Sequence, residues 1–322
     1  MIMKNSVEGL ICLVVIQSLS FFCSVYLLFT CLKKKSTIWN LPNHVILCLL
    51  IVSTWLISID LVSTQVYYWN EYVPIQTDWA CRFYNVSFFT TSNLNRMFMA
   101  FMSIERHFLV FRPQLYHTRR FRYLLHYFPL IFLIGWSLIY SIATDIFLTC
   151  PQIRFRYNRF LCGYTCSVFV RSTVMIYVWI QVFLPTMITT LACILLPIRF
   201  LLKKSKLQRL QWRRARRMIV QMSTIAATYT FCWLPYAILL QLISVNYSLL
   251  NDYHISRYMI FDAYVPSLLT PFICFHTIVG KWKWHFRQRI LRYCFSQRQT
   301  LIHPHNHNNI AHSIRPFHLK SN

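Results

Sequence analysis

Seven long apolar stretches follow one another along this 322-residue chain, at Gly9 to Leu32, Val45 to Tyr68, Arg82 to Ile104, Leu124 to Leu148, Val168 to Leu202, Met218 to Val245 and Ile255 to Val279. Each is at least as long as the ~20 residues needed to cross ~30 Å of hydrocarbon. Lipid offers no hydrogen bonds to a bare backbone, so each span must satisfy its amides internally, as a helix does. The pattern predicts an all-α membrane protein, a bundle of seven transmembrane helices. With 56% hydrophobic and only 13% charged residues, the composition excludes a disordered chain and fits an ordinary soluble domain poorly.

Basic residues fall on alternate connections, and Lys and Arg are retained on the cytoplasmic side of short loops. Lys33 to Lys35 follow the first stretch; Arg112, Arg119, Arg120 and Arg122 follow the third. Lys203, Lys204, Lys206, Arg209, Arg213, Arg214, Arg216 and Arg217 join the fifth to the sixth, and Lys281, Lys283, Arg287, Arg289 and Arg292 follow the seventh. The amino terminus is therefore expected outside and the carboxyl terminus inside. Glu8, Asp60, Glu71, Asp78, Asp145, Asp252 and Asp262 fall in outer loops or outer halves of spans, leaving Glu105 as the inner carboxylate. The net charge of +25 sits beside membrane spans, which points to anionic lipid headgroups and cytosolic partners rather than nucleic acid.

Four parts are expected: a short outer terminus at 1–8, the bundle at 9–279, a juxtamembrane amphipathic helix at 281–295 and a disordered tail at 296–322. The first stretch exceeds a signal-peptide core, lacks a small-residue cleavage site and is stopped by three lysines, so it is expected to stay as an anchor. With so few residues ahead of it, an outside ligand has to bind loops and bundle. In 281–295, Trp282, Trp284, Phe286, Ile290, Leu291 and Phe295 interleave with bases, as in a helix lying in the inner headgroup layer, and Cys294 is a candidate for palmitoylation. His303, His305 and His307 alternate in a polar tail and read as solvated chain, not a metal site. No metal and no cofactor are expected.

Punctuation within the spans is more specific. Cys81 opens the third; Glu105-Arg106-His107 closes it twenty-five residues later, about one bilayer crossing. Trp136 sits in the middle of the fourth span, Pro185 of the fifth, Cys232-Trp233-Leu234-Pro235 in the sixth and Pro271 in the seventh. Prolines break soluble helices, whereas in a bundle they make kinks whose freed carbonyls find other partners. In order and spacing this ensemble resembles the rhodopsin-like (class A) G-protein-coupled receptors over about Gly9 to Phe295.

The resemblance implies a receptor for an extracellular ligand that signals to a heterotrimeric G protein. Arg106 would be held by Glu105 at rest and released toward the G protein, with His107 standing where relatives usually carry Tyr. Trp233 and Pro235 would be a rotamer switch and kink, and Pro271 would mark the corresponding seventh-span motif. A disulfide from Cys81 to the second outer loop is implied, with Cys162 the first choice of partner, Cys166 the alternative and Cys150 less favoured. The chain departs from the family at Ser53, where many relatives place an aspartate, so a sodium pocket is not expected. Cys193 and Cys274 replace two tyrosines that brace the active state, and the inner end of the sixth span offers no carboxylate to Arg106. Glu105 is then the one restraint on Arg106 that the sequence offers.

The ligand leaves a fainter trace. Phe88 stands where amine receptors carry aspartate, which disfavours an amine. Asp60, Asp145, Gln241 and Asp262, with Phe88 and Trp233, are candidates to line an outer pocket, since buried carboxylates without partners invite a cationic ligand group. Asp60 or Asp145 could instead pair with Arg82, Arg171 or Arg257. In the second outer loop, Arg154, Phe155, Arg156, Tyr157, Arg159 and Phe160 approach a strand period, which suggests a hairpin lid; the mixed charge favours a short peptide over a lipid. Asn246-Tyr247-Ser248 is a glycosylation acceptor on the outer side. Arg96, deep in the third span, needs a polar partner from Asn93, Asn95 or Ser53, either as a structural hub or as part of the switch. The chain lacks a Schiff-base lysine in its seventh span and the usual motifs of intramembrane enzymes, so it reads as no enzyme; a seven-helix channel is the runner-up.

Overall fold

The computed structural model describes residues 7–33, 41–116, 118–147, 155–163, 171–202, 219–220, 223–235, 237–238, 241 and 264–275. The chain divides into two units, Met1–His276 and Thr277–Asn322, of which the second lies outside the described residues. With it lie the expected amphipathic helix and Cys294. Cys150, Cys166, Asn246, Asp262 and Arg257 are likewise outside the described residues.

The α-helical and π-helical residues among those described are segments of seven helices. α1 is Val7–Lys33. α2 runs through Leu41–Trp55, a π-helical turn at Leu56–Asp60, and Leu61–Asn70. α3 is Asp78–Phe111. α4 comprises Arg119–Arg122, Tyr123–Tyr127, Phe128–Ile142 and Ala143–Phe147, the second and fourth pieces π-helical. α5 comprises Arg171–Ile176, the π segment Tyr177–Phe183 and Leu184–Leu202. α6 is described at 219–220, 223–235, 237–238 and 241, and α7 at Tyr264–Phe275.

Four of these, Ile11–Lys33, His44–Asn70, Arg119–Ile146 and Tyr177–Leu202, are long and apolar enough to cross a membrane by themselves. Their outer faces stay apolar and exposed, as at Phe22 (68%) and Ile139 (69%), which suits lipid and would not suit water. α3 is different. Its 34 residues would extend about 51 Å, but it buries Asn85, Asn93, Asn95, Arg96, Glu105 and Arg106 and packs against α2, α4 and α5. It is the polar axis of the bundle, shielded from lipid by its neighbours.

α3 also begins and ends outside the expected limits. Thr77 adopts extended backbone and its side chain accepts from the Ala80 N–H at 3.3 Å, so the helix starts at Asp78 rather than Cys81. It continues past Arg106 to Phe111. The kink expected at Pro185 takes the form of the π segment Tyr177–Phe183 just before it. Proline has no N–H to give the carbonyl four residues earlier, that of Gln181, and this carbonyl accepts from Arg96 Nε at 2.9 Å. Gln17 of α1 similarly reaches the Ile57 carbonyl inside the α2 π turn at 2.7 Å.

Candidate functional site at the two ends of the third helix

The outer end is closed by a covalent link and a set of backbone ties. Cys81 and Cys162 form a disulfide with Cα atoms 5.7 Å apart. Asn85, one turn deeper, donates from Nδ2 to the Leu161 carbonyl at 2.9 Å, and the Val73 amide donates to the Tyr157 carbonyl at 3.0 Å. Of the loop expected to form a hairpin lid, the described residues 155–163 contain turns and the 3-10 segment Phe160–Gly163, with no strand among them. The cause is local. Leu161 and Cys162 take left-handed backbone (φ 47° and 57°), which ends any extended run just where the disulfide draws the chain to α3.

Beneath this lid is a small cavity of about 20 Å³, room for about one water molecule, lined by Asp60, Thr64, Tyr67, Phe88, Leu161 and Tyr264 among others. Of the expected ligand residues, Asp60 and Phe88 meet here. Asp145 is buried at the outer end of α4, Trp233 is buried on α6, and Gln241 is half-buried; none of the three lines this cavity. Asp60 is 5% exposed and faces hydroxyls. Ser87 donates to Oδ1 at 2.8 Å, while the single Thr91 hydrogen is divided between Oδ2 at 3.1 Å and its own helix carbonyl at Ser87, 2.7 Å away. Trp55 Nε1 donates to Ser87, and Thr64 links the Asp60 carbonyl to the Tyr264 hydroxyl. No basic side chain among the described residues pairs with Asp60: Arg82 instead donates to the Ile146 carbonyl at 3.3 Å and stacks over Phe155.

Midway along α3, the position of Arg96 answers the question its sequence raised. Nε takes the Gln181 carbonyl, Nη2 donates to Asn93 and to the Tyr177 hydroxyl, and the guanidinium carbon lies 4.3 Å from the centre of the Trp233 ring. Arg96 is thus both a hydrogen-bond hub and a cation–π partner of the residue the resemblance marks as a switch. Asn95 is not its partner; it donates to Ser267 at 2.6 Å and accepts from Tyr229 at 2.5 Å.

The inner end holds Glu105 (1% exposed) and Arg106 (2%). The expected grip of Glu105 on Arg106 is not what the structure has. Glu105 Oε1 is hydrogen-bonded to His126 Nδ1, and Oε2 accepts nothing among the described residues. The reason is that α4 brings a second, aromatic donor against the carboxylate. Arg106 stays within electrostatic range of Glu105 and of Tyr116. Tyr116, in the inner loop, has its phenol pushed up to about 12, first by burial and then by the Glu105 charge, so it faces the pair as a neutral group. His107 reaches the Ala192 carbonyl of α5 at 3.2 Å. Pro235 is exposed and Pro271 buried.

Sequence reasoning missed His44, His126, Ser87, Thr91 and Tyr264. A histidine between tyrosines at an inner helix end reads as an interfacial residue, and hydroxyls on helices read as back-bonded to their own carbonyls. Only Thr77-Asp78, a cap followed by an acid, carried a local signal that could have moved the α3 start. Residues 11–274 match the family model described as 7 transmembrane receptor (rhodopsin family). No curated protein matches the chain.

Proposed function

Because the chain belongs to the rhodopsin family of seven-transmembrane receptors, and is accordingly a multi-pass signalling receptor with an extracellular ligand and a G-protein partner, we propose a specific reading of how it works. The ligand is a short peptide that enters beneath the Cys81–Cys162 lid and places a cationic group near Asp60 and Phe88. Its binding favours a state in which α6 swings at Pro235 and opens the inner face to a heterotrimeric G protein at Arg106. Ligand and G protein then act by shifting one population, each through its differential affinity for the two states.

The observation that carries this reading is that one helix holds both ends. α3 lines the Asp60 cavity with Phe88 and carries the buried Glu105-Arg106 pair at its far end, with Arg96 against Trp233 between them. The basic inner loops support an outside amino terminus, an inside carboxyl terminus and residence in the plasma membrane. On that topology Asn246 is open to glycosylation, Cys294 to lipidation, and 281–295 lies along the inner leaflet.

The test is a peptide-library screen in cells carrying a promiscuous G-protein reporter, followed by Arg106→Ala at matched surface level. Signalling to the hits should be abolished while their binding at the outer face persists. An intact response in the variant, or an ion current without G-protein dissociation, would overturn the reading and favour a channel.

A further inference from the structure

Three side chains from three helices meet at the inner end of the bundle in a line: His44 of α2, His126 of α4 and Glu105 of α3. His44 Nδ1 lies 3.0 Å from His126 Nε2, and His126 Nδ1 is bonded to Glu105 Oε1. His126 and Glu105 are buried, and the His126 ring is packed edge-on against Tyr127 at 4.9 Å, with Phe101 at 6.4 Å and the His44 ring at 5.2 Å. A carboxylate can only accept, so His126 Nδ1 carries the hydrogen that joins them; Nε2 then meets His44. Other charged or titratable groups at this end include Tyr127, which packs on both imidazoles, and Arg106, with Tyr116 and Arg122 from the inner loop.

We propose that His126 is a positioning residue of the G-protein switch: it holds the Glu105 carboxylate on the α4 side, so that Arg106 is not clamped by its sequence neighbour in the unliganded receptor. The inference rests on the reading of Arg106 given above. It extends that reading by assigning the restraint to a third residue, with His44 fixing the orientation of the His126 ring. Without His126, both Glu105 oxygens become available to Arg106, and a charge-assisted bond between them tightens the resting state. Loss of His126 therefore lowers coupling, the reverse of what loss of Glu105 does.

The experiment uses the full chain in lipid nanodiscs, unliganded, titrated with a nucleotide-free heterotrimeric G protein of promiscuous α subunit. His126→Phe fits an aromatic surround and should weaken binding by about fivefold or more, the lower range of allosteric coupling. His126→Asn keeps an N–H at the place of Nδ1 and should restore binding to near the original value. In a Glu105→Gln background, His126→Phe should change nothing further, because the restraint it releases is gone. Equal binding by His126→Phe and the unaltered chain, or the same loss in the Glu105→Gln background, would overturn the proposal and leave His126 a packing residue. Arg106→Ala separates the two readings: if it binds as well as the unaltered chain, the Arg106 switch itself fails, whatever His126 does. No binding by the unaltered chain would remove both.

Discussion

Asp60 and Glu105 are both buried carboxylates on the polar side of the bundle, one near each membrane face, and they are satisfied in different ways. Around Asp60 stand hydroxyls, Ser87 and Thr91, with Thr91 sharing its one hydrogen with a helix carbonyl. Around Glu105 stands an imidazole backed by a second imidazole. Hydroxyls donate without carrying charge, so the outer carboxyl group has donors but no countercharge among the described residues, and it keeps lone pairs for a cation arriving from outside. The inner carboxylate already has a donor that competes with its natural neighbour Arg106. The outer end is also fixed covalently by the disulfide, whereas the inner end is held by contacts that exchange. One end is built to keep its shape around a guest, the other to change partners.

The hardest blow to that contrast falls on the fixed end. Cys81→Ser or Cys162→Ser removes the one covalent tie between α3 and the lid among the described residues, at a typical cost of about 2 to 5 kcal/mol. Surface expression measured by flow cytometry should fall sharply for each variant. The double variant should be no worse than either single one, since one bond is lost in all three. Normal expression of both single variants would mean that Asn85 and the backbone ties hold the lid unaided.

Next comes the outer carboxylate. Asp60→Asn retains an oxygen to accept from Ser87, and its amide N–H can donate to the Thr91 hydroxyl, whose hydrogen stays on the Ser87 carbonyl, so thermal stability of the purified protein should move little. A ligand that presents a cation there should lose on the order of 2 to 5 kcal/mol, the usual cost of stripping one partner from a buried charge pair. Potency of the hits from the peptide screen decides it. Potency unchanged by Asp60→Asn would show that the cavity is read by shape alone.

How far the sequence revealed these arrangements depends on whether the determining interaction is local. Apolar run length predicts seven crossings without their exact ends, and the missing N–H of Pro185 locates a distortion in α5 whose freed carbonyl then appears on Arg96. The family resemblance implied a disulfide from Cys81 to the second outer loop with Cys162 as first choice of partner, and that is the pair the structure has. Glu105 and His126 are 21 residues apart on different helices, and Arg96 and Trp233 are 137 apart; no periodicity links either pair. Those contacts depend on helix rotation and tilt, which the packing of the whole bundle sets. The triplet around Arg106 suggested the wrong partner for Glu105 because adjacency in sequence hid a competitor arriving from α4.

Arg96 lies between the two ends and should show an intermediate effect. Arg96→Lys keeps the charge but loses the planar fork that meets Gln181, Asn93 and Tyr177 together and stacks on Trp233. Leaving those buried acceptors short of donors costs about 1 to 3 kcal/mol. The melting transition in detergent should fall, and fluorescence from the α6 tryptophan environment should shift with it. A fall in melting without any change in G-protein coupling would make Arg96 a hub alone.

The smallest effect comes from a bond that looks the same as the strongest one at Asp60. Tyr157 donates its hydroxyl to Asp78 Oδ1 at 2.8 Å, the same length as Ser87 to Asp60. The environments differ, since Asp78 lies exposed at the start of α3 and Ser87 and Asp60 are buried. The Asp78 bond raises the Tyr157 phenol above its usual range, so the hydroxyl remains a donor through neutral pH and titrates only under alkaline conditions. Water replaces a lost donor at an exposed carboxylate at little cost, whereas a buried acceptor left short of a donor bears its full desolvation penalty. Tyr157→Phe should therefore leave surface expression and peptide potency where they were between pH 6 and 8, while Ser87→Ala lowers both. Equal losses from the two substitutions would show that the lid bond stabilises as much as the buried one, and that burial is not what separates the two ends of α3.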